Sequence, residues 1–142
     1  MTLVSQILYA KGDKTWTITP DATVFDALSL MAEKDIGSLV VVESEDVVGI
    51  FSERDYARKI ILHGRSSKDT EVKDIMTNEV LCISPDQSVT KCMALMTDKR
   101  VRHIPVLAEG RLVGVISIGD VVKAIISEQQ IIIDHLEDYI YS

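Results

Sequence analysis

The sequence is poor in the residues that interrupt or staple a chain. Of 142 residues only three are proline and two cysteine, and aromatic residues make up 5%. So little proline excludes a collagen-like or proline-rich extended chain, and 46% hydrophobic residues exclude a disordered one. Cys82 and Cys92 lie in apolar-periodic stretches without CxxC spacing. That excludes a disulfide scaffold and predicts buried thiols in a reducing compartment. No apolar run approaches the roughly 18 residues of a membrane-spanning helix, so no membrane association is expected. The start, "MTLVSQILYAKGDKTW", has neither a basic opening nor a cleavage-like site, which points to the cytoplasm. Positive charge is scarce as well: 15 Lys and Arg against 22 Asp and Glu give a net charge of −7. Repulsion from a phosphate backbone excludes generic nucleic-acid binding, but not a small anion held by a local basic cluster.

Catalytic signatures are missing too. The chain has no HExxH, GxGxxG, phosphate-loop or GxSxG motif. His63, His103 and His135 have no cysteine or second histidine at metal spacing. No nucleophile, base and orienting group can be assembled, so the chain is not expected to be an enzyme, and no cofactor is required.

What the sequence does have is an internal repeat. A displacement of 65 residues carries Ile18–Ile61 onto Ile83–Ile126 without a gap, matching Pro20 to Pro85, Leu30 to Leu95 and Gly49 to Gly114. Upstream, "VSQIL" at Val4 resembles "VKDIM" at Val72. Repeats of this length form supersecondary units that bury their apolar faces against each other. The reading is residues 1–66 for the first unit, with an N-terminal helical segment, and 67–142 for the second.

Each unit predicts the order β-α-β-β-α, a mixed α/β (α+β) fold. A short extended piece and a Pro-Asp turn lead into a helix with apolar Val24, Ala27, Leu28 and Met31, or Val89, Cys92, Leu95 and Met96. Thr23 or Asp21, and Ser88 or Asp86, are candidate caps. Two β-branched runs follow, Leu39–Val42 with Val47–Phe51, and Ile104–Leu107 with Leu112–Ser117. Pro105 predicts an edge position or a strand start. A helix closes each unit, about Glu53–Leu62 in the first and from Gly119 in the second. The second is much longer, with Ile132, Ile133, Leu136 and Ile140 still apolar, so it is expected to pack on a partner subunit.

The last strand of each unit runs into its helix through Gly49-x-x-Ser52-x-x-Asp55 and Gly114-x-x-Ser117-x-x-Asp120. The glycine permits close approach of another backbone or a ligand. Singly, the serine reads as a helix cap. Duplication of serine and aspartate at one register goes beyond a cap, because a hydroxyl beside free helix N–H groups can hold phosphate and a carboxylate can accept two ribose hydroxyls. Arg54 and Arg58 flank Asp55, and Arg102 and His103 precede the second unit's first long strand. The matching places in the first unit are Gly37 and Ser38, so the two sites are expected to differ in charge.

These residues resemble the paired CBS domains, or Bateman module. The likeness is carried by "DIMT", "ITPDATVFDALSLMAEKDIGSLVVV", "VVGIFSERD", "RHIPV" and "LVGVISIGDVV", and it is strongest to small stand-alone CBS-pair proteins of bacteria and plant organelles. The resemblance implies two repeats related by a pseudo-twofold axis, commonly dimerised. It implies an adenosine-containing ligand (AMP, ADP, ATP or an NAD-like nucleotide) in inter-repeat clefts. Asp55 and Asp120 would take ribose, and Ser52 and Ser117 phosphate. Thr17, Ile18 and Ile36, with Ile83, Ser84 and Val101, would enclose adenine. Regulation would then pass through a homodimer or a partner protein. The alternative is an interaction scaffold with vestigial clefts.

Overall fold

The computed structural model describes residues 1–12 and 14–141. Two compact units emerge, and they cut the chain at points other than the 66/67 boundary read from the repeat. One, the first-repeat unit, comprises Thr15–Leu81 with Glu109–Leu112; the other, the second-repeat unit, comprises Met1–Lys14, Cys82–Ala108 and Val113–Ser142. The first fourteen residues thus belong with the second repeat.

In the first-repeat unit, β1 (Thr17–Ile18) runs parallel to β2 (Ser38–Glu43), which pairs antiparallel with β3 (Asp46–Ser52). Helix α2 (Val24–Lys34) starts where the Thr23 hydroxyl accepts the Asp26 N–H and ends where Asp35 turns left-handed, with φ of 54°. The Ile36 N–H then bonds back to the Met31 carbonyl at 3.0 Å, aiming Gly37 and Ser38 into β2. Val24, Ala27 and Met31 bury one helix face on Leu39, Val41 and Phe51 of the sheet, each large side chain contributing about 1.5–3 kcal/mol.

Residues 70–77 complete this core. Val72 and Ile75, in and just after a 3₁₀ turn (Val72–Asp74), are buried with it, and the Val72 and Lys73 N–H groups bond Ala22 and Pro20 carbonyls at 2.8 and 2.9 Å. Thr77 and Ile50 exchange a backbone pair at 2.9 Å. The expected helix from Glu53 to Leu62 forms differently, as a short α3 (Glu53–Asp55) continued by a π-helical stretch, Tyr56–Ile61.

The second-repeat unit has the same plan. It contains α1 (Val4–Lys11), α4 (Val89–Lys99), β4 (His103–Ala108), most of β5 (Arg111–Ser117) and α5 (Ile118–Tyr141). Ser88 caps α4 through the Lys91 N–H, and Arg100 repeats the left-handed turn of Asp35. The first strand shrinks to one parallel bridge, Ile83 to Val106. Pro105 explains this. Its carbonyl accepts the Ile83 N–H at 3.1 Å, so its nitrogen, which has no hydrogen, faces the same side and cannot extend the ladder. Pro105 is buried, but it lies on a strand of a two-stranded sheet with its nitrogen on the side that carries only that bridge, which is the edge position expected of it.

Helix α1 does for this unit what residues 70–77 do for the other. The Val4 and Ser5 N–H groups bond Gln87 and Pro85 carbonyls, each at 2.9 Å, and Val4 and Ile7 are buried. The upstream likeness of "VSQIL" to "VKDIM" is therefore real, but each segment docks on a repeat other than the one the sequence boundary gave it. Helix α5 buries Val121, whereas Ile126, Ile132, Ile133, Leu136 and Ile140 lie exposed. No helix among the described residues is long and apolar enough to cross a membrane.

Candidate functional site

The two GxxSxxD segments bring their residues together as expected, and the geometry explains them differently. On its Cβ side each glycine meets the segment docked on its unit. A Cβ at Gly49 would overlap Met76 Sδ and come within 3.0 Å of the Thr77 carbonyl, and one at Gly114 would overlap Leu8 Cδ2. The small residue is there for the side chain of the docked segment.

Serine and aspartate form a reciprocal capping box. Ser52 Oγ accepts the Asp55 N–H at 3.2 Å while Asp55 Oδ2 accepts the Ser52 N–H at 3.0 Å. Ser117 and Asp120 repeat this at 3.1 and 2.9 Å. A cap can therefore use both residues three apart, satisfying two orphan donors at once. This corrects the expectation that duplication of the pair by itself exceeds a capping role.

Beyond the box the two sites diverge. Asp55 is buried at 8% exposure and fully engaged. Ser52 Oγ donates to its Oδ2 at 3.1 Å, and Thr77 Oγ1 and Lys59 Nζ reach Oδ1 at 3.4 and 3.3 Å. Lys59 also donates to the Ile75 carbonyl at 2.8 Å. Arg54 and Arg58 are exposed, so the cation at Asp55 is Lys59 rather than either arginine. Its i+4 spacing was a signal the sequence offered.

Asp120 is held through one oxygen only. Lys11 Nζ reaches Oδ2 at 2.8 Å and also donates to the Val115 carbonyl at 3.0 Å. Among the described residues no donor reaches Asp120 Oδ1. Burial pushes the Asp120 carboxyl up, but the Lys11 and Ser117 hydrogen bonds together outweigh it and hold the group below its ordinary value. Half-buried His103 is held below 6.5, first by burial and then by Lys11, with Asp120 opposing and Arg102 reinforcing, so it is neutral at pH 7. Arg102 is exposed, and its carbonyl accepts the Ile118 N–H at 2.9 Å, just as Gly37 accepts the Glu53 N–H at 3.1 Å. Nothing in the sequence flagged Lys11, which lies 109 residues from Asp120.

The remaining expected residues lie close by within each unit. Ser38 pairs with Ser52 across β2 and β3, and Thr17 and Ile18 pair with Val40 and Val41. In the second-repeat unit Ile83 is buried, Ser84 Oγ donates to the Asp86 carboxylate, and the Val101 N–H bonds the Met96 carbonyl at 3.1 Å. A separate open cavity of about 440 Å³, lined by Thr19, Asp21, Glu43, Val48, Lys73 and Met76 among others, contains none of the expected site residues. Among the described residues no cluster of His, Cys, Asp or Glu could hold a metal.

Comparison with known proteins matches this geometry to a family. The CBS domain pattern fits residues 13–62 and 72–127. The mitochondrial CBS domain-containing protein CBSX3 of Arabidopsis thaliana is 45% identical over 148 residues, covering 98% of this chain and 72% of that protein. A protein with CBS domains from Burkholderia ambifaria MC40-6 is 53% identical with a TM-score of 0.86, over 90% of this chain and 96% of that one. A CBS-domain containing protein from Agrobacterium tumefaciens is 38% identical with a TM-score of 0.82, over 87% and 98% of the two chains. The chain belongs to the CBS-domain family, as a tandem pair of CBS repeats forming a Bateman module, a kind of unit that is generally regulatory and non-catalytic.

Proposed function

We propose that this module senses an adenosine-containing nucleotide, AMP, ADP, ATP or an NAD-like dinucleotide, and binds it chiefly at the second repeat. The observation that carries the reading is the open half of that site. Asp120 keeps one carboxylate oxygen for ribose hydroxyls. Arg102 and Lys11 supply local positive charge on an otherwise acidic chain, and neutral His103 adds a hydrogen-bonding group beside them. The matching oxygen in the first repeat is taken by Thr77 and Lys59. Reduced, unpaired Cys82 and Cys92 suit the proposed cytoplasmic setting.

Calorimetry with AMP, ADP, ATP and NAD tests the reading, together with thermal melts, since a ligand that binds only the folded state raises the melting temperature. Binding that is weakened in Asp120→Ala supports it, and no heat and no shift with any of the four refutes it.

A second reading, a protein-interaction scaffold, is favoured by the exposed Ile126, Ile132, Ile133, Leu136 and Ile140 of α5. This stripe would serve a homodimer or another partner, and association indifferent to nucleotide would favour that reading.

A further inference from the structure

Lys11 reaches the second-repeat site from outside the repeat and outside the capping box. It is the last residue of α1, and α1 itself is fixed. The Val4 and Ser5 N–H groups are bonded to Gln87 and Pro85 carbonyls, and Leu8 fills the space that Gly114 leaves. The side chain is less constrained. It is 42% exposed and ends on two acceptors, the Val115 carbonyl and Asp120 Oδ2. An exposed lysine–carboxylate pair contributes little to stability, and a four-carbon stem redirects its ammonium without moving the helix. The group is also close enough to His103 to depress its imidazole. The lysine at the first repeat, Lys59, is likewise held between a carbonyl and a carboxylate, but it comes from the segment that carries Asp55, one turn away, and not from a docked helix.

The geometry points to Lys11 as a specificity-determining residue of the second-repeat site, one that neutralises Asp120 in the ligand-free protein and turns to the phosphate of a nucleotide when ribose hydroxyls take the carboxylate. The inference rests on the nucleotide reading above and adds a discrimination to it. A phosphorylated ligand gives the displaced ammonium a new partner, whereas a bare nucleoside leaves it with none. The site therefore selects nucleotides over nucleosides, and it does so through a residue supplied from the far end of the chain.

Calorimetry of the whole chain, as wild type, Lys11→Met and Lys11→Arg, with AMP and with adenosine tests this. In Lys11→Met, AMP is expected to bind about tenfold more weakly, the scale of one charge-assisted hydrogen bond, with adenosine unchanged or tighter. Lys11→Arg keeps the preference for AMP. Equal weakening of both ligands assigns Lys11 a merely structural role and overturns the inference, as does unchanged AMP affinity. Wild type that takes up none of AMP, ADP, ATP and NAD overturns the nucleotide reading itself, and where only ADP, ATP or NAD binds, that nucleotide replaces AMP in the comparison. Thermal melts of each variant confirm folding at the temperature of titration, and Lys11→Gln repeats the comparison should the methionine variant melt too early.

Discussion

Replacing Gly49 with alanine separates the packing explanation of GxxSxxD from a ligand explanation. The new methyl group would overlap Met76 Sδ and lie 3.0 Å from both Met76 Cγ and the Thr77 carbonyl. Met76 can turn aside, but Thr77 cannot easily move, because its N–H and C=O are both bonded to Ile50 at 2.9 Å. Overpacking of this kind costs about 1–3 kcal/mol, and the alanine recovers about 0.4–1 kcal/mol from the unfolded chain. The net destabilisation is about 1.5 kcal/mol, or roughly 3–6 °C in melting temperature for a chain of this size. At Gly114 every close atom belongs to Leu8, a flexible side chain, so Gly114→Ala should cost less. Leu8→Ala should also couple to it by about 1 kcal/mol in a double-mutant cycle, because residues in direct contact are non-additive. Urea titrations of the single and double variants measure both effects. An unchanged midpoint in Gly49→Ala, or additive Leu8 and Gly114 changes, would refute the packing account, and a loss of nucleotide affinity at full stability would return the glycines to the ligand.

Two further outcomes follow from the exchanged segments and from the charges beside Asp120. Removing residues 1–11 takes away buried Val4 and Ile7, each worth about 1.5–3 kcal/mol. Hydrogen exchange should then quicken in α4 and β5 while β2 and β3 keep their protection, and a uniform change would contradict the docking of α1 on the second repeat. The pH dependence has a definite sign. Because the folded His103 imidazole lies below 6.5, the unfolded chain protonates first, so stability is complete above about pH 6.5 and declines as the pH falls through that value. Asp120, held below 3.8, adds a loss at lower pH still, as its own folded pKa is passed. His103→Gln should flatten the urea midpoint between about pH 5 and 7, and identical slopes in variant and wild type would remove His103 as the cause.

The sequence by itself determined the repeat and its elements, because both rest on local periodicity and turn chemistry. Leu39–Val42 and Val47–Phe51 lie inside β2 and β3, and of the two candidate caps at each helix start it is Thr23 and Ser88 that serve. The Ser-x-x-Asp pairs were legible as a motif, but their role was not, since a capping box and a ribose contact demand the same residue types. Pro105 signalled an edge position, and the direction of its nitrogen shows which side of β4 is left with a single bridge.

Tertiary structure alone decided which segment completes which unit. Short helical segments such as "VSQILYAK" fit either repeat by pattern, and their place is set by which core they bury Val4 or Val72 in. It also decided that the two aspartates are unequal. Asp55 meets a lysine one helical turn away, a relation local enough to read in the sequence. Asp120 meets Lys11 across 109 residues of chain, a contact that exists only because α1 docks on β5 and α5. A charge pair formed by packing leaves no periodic trace in the sequence, and here that pair separates the open site from the closed one.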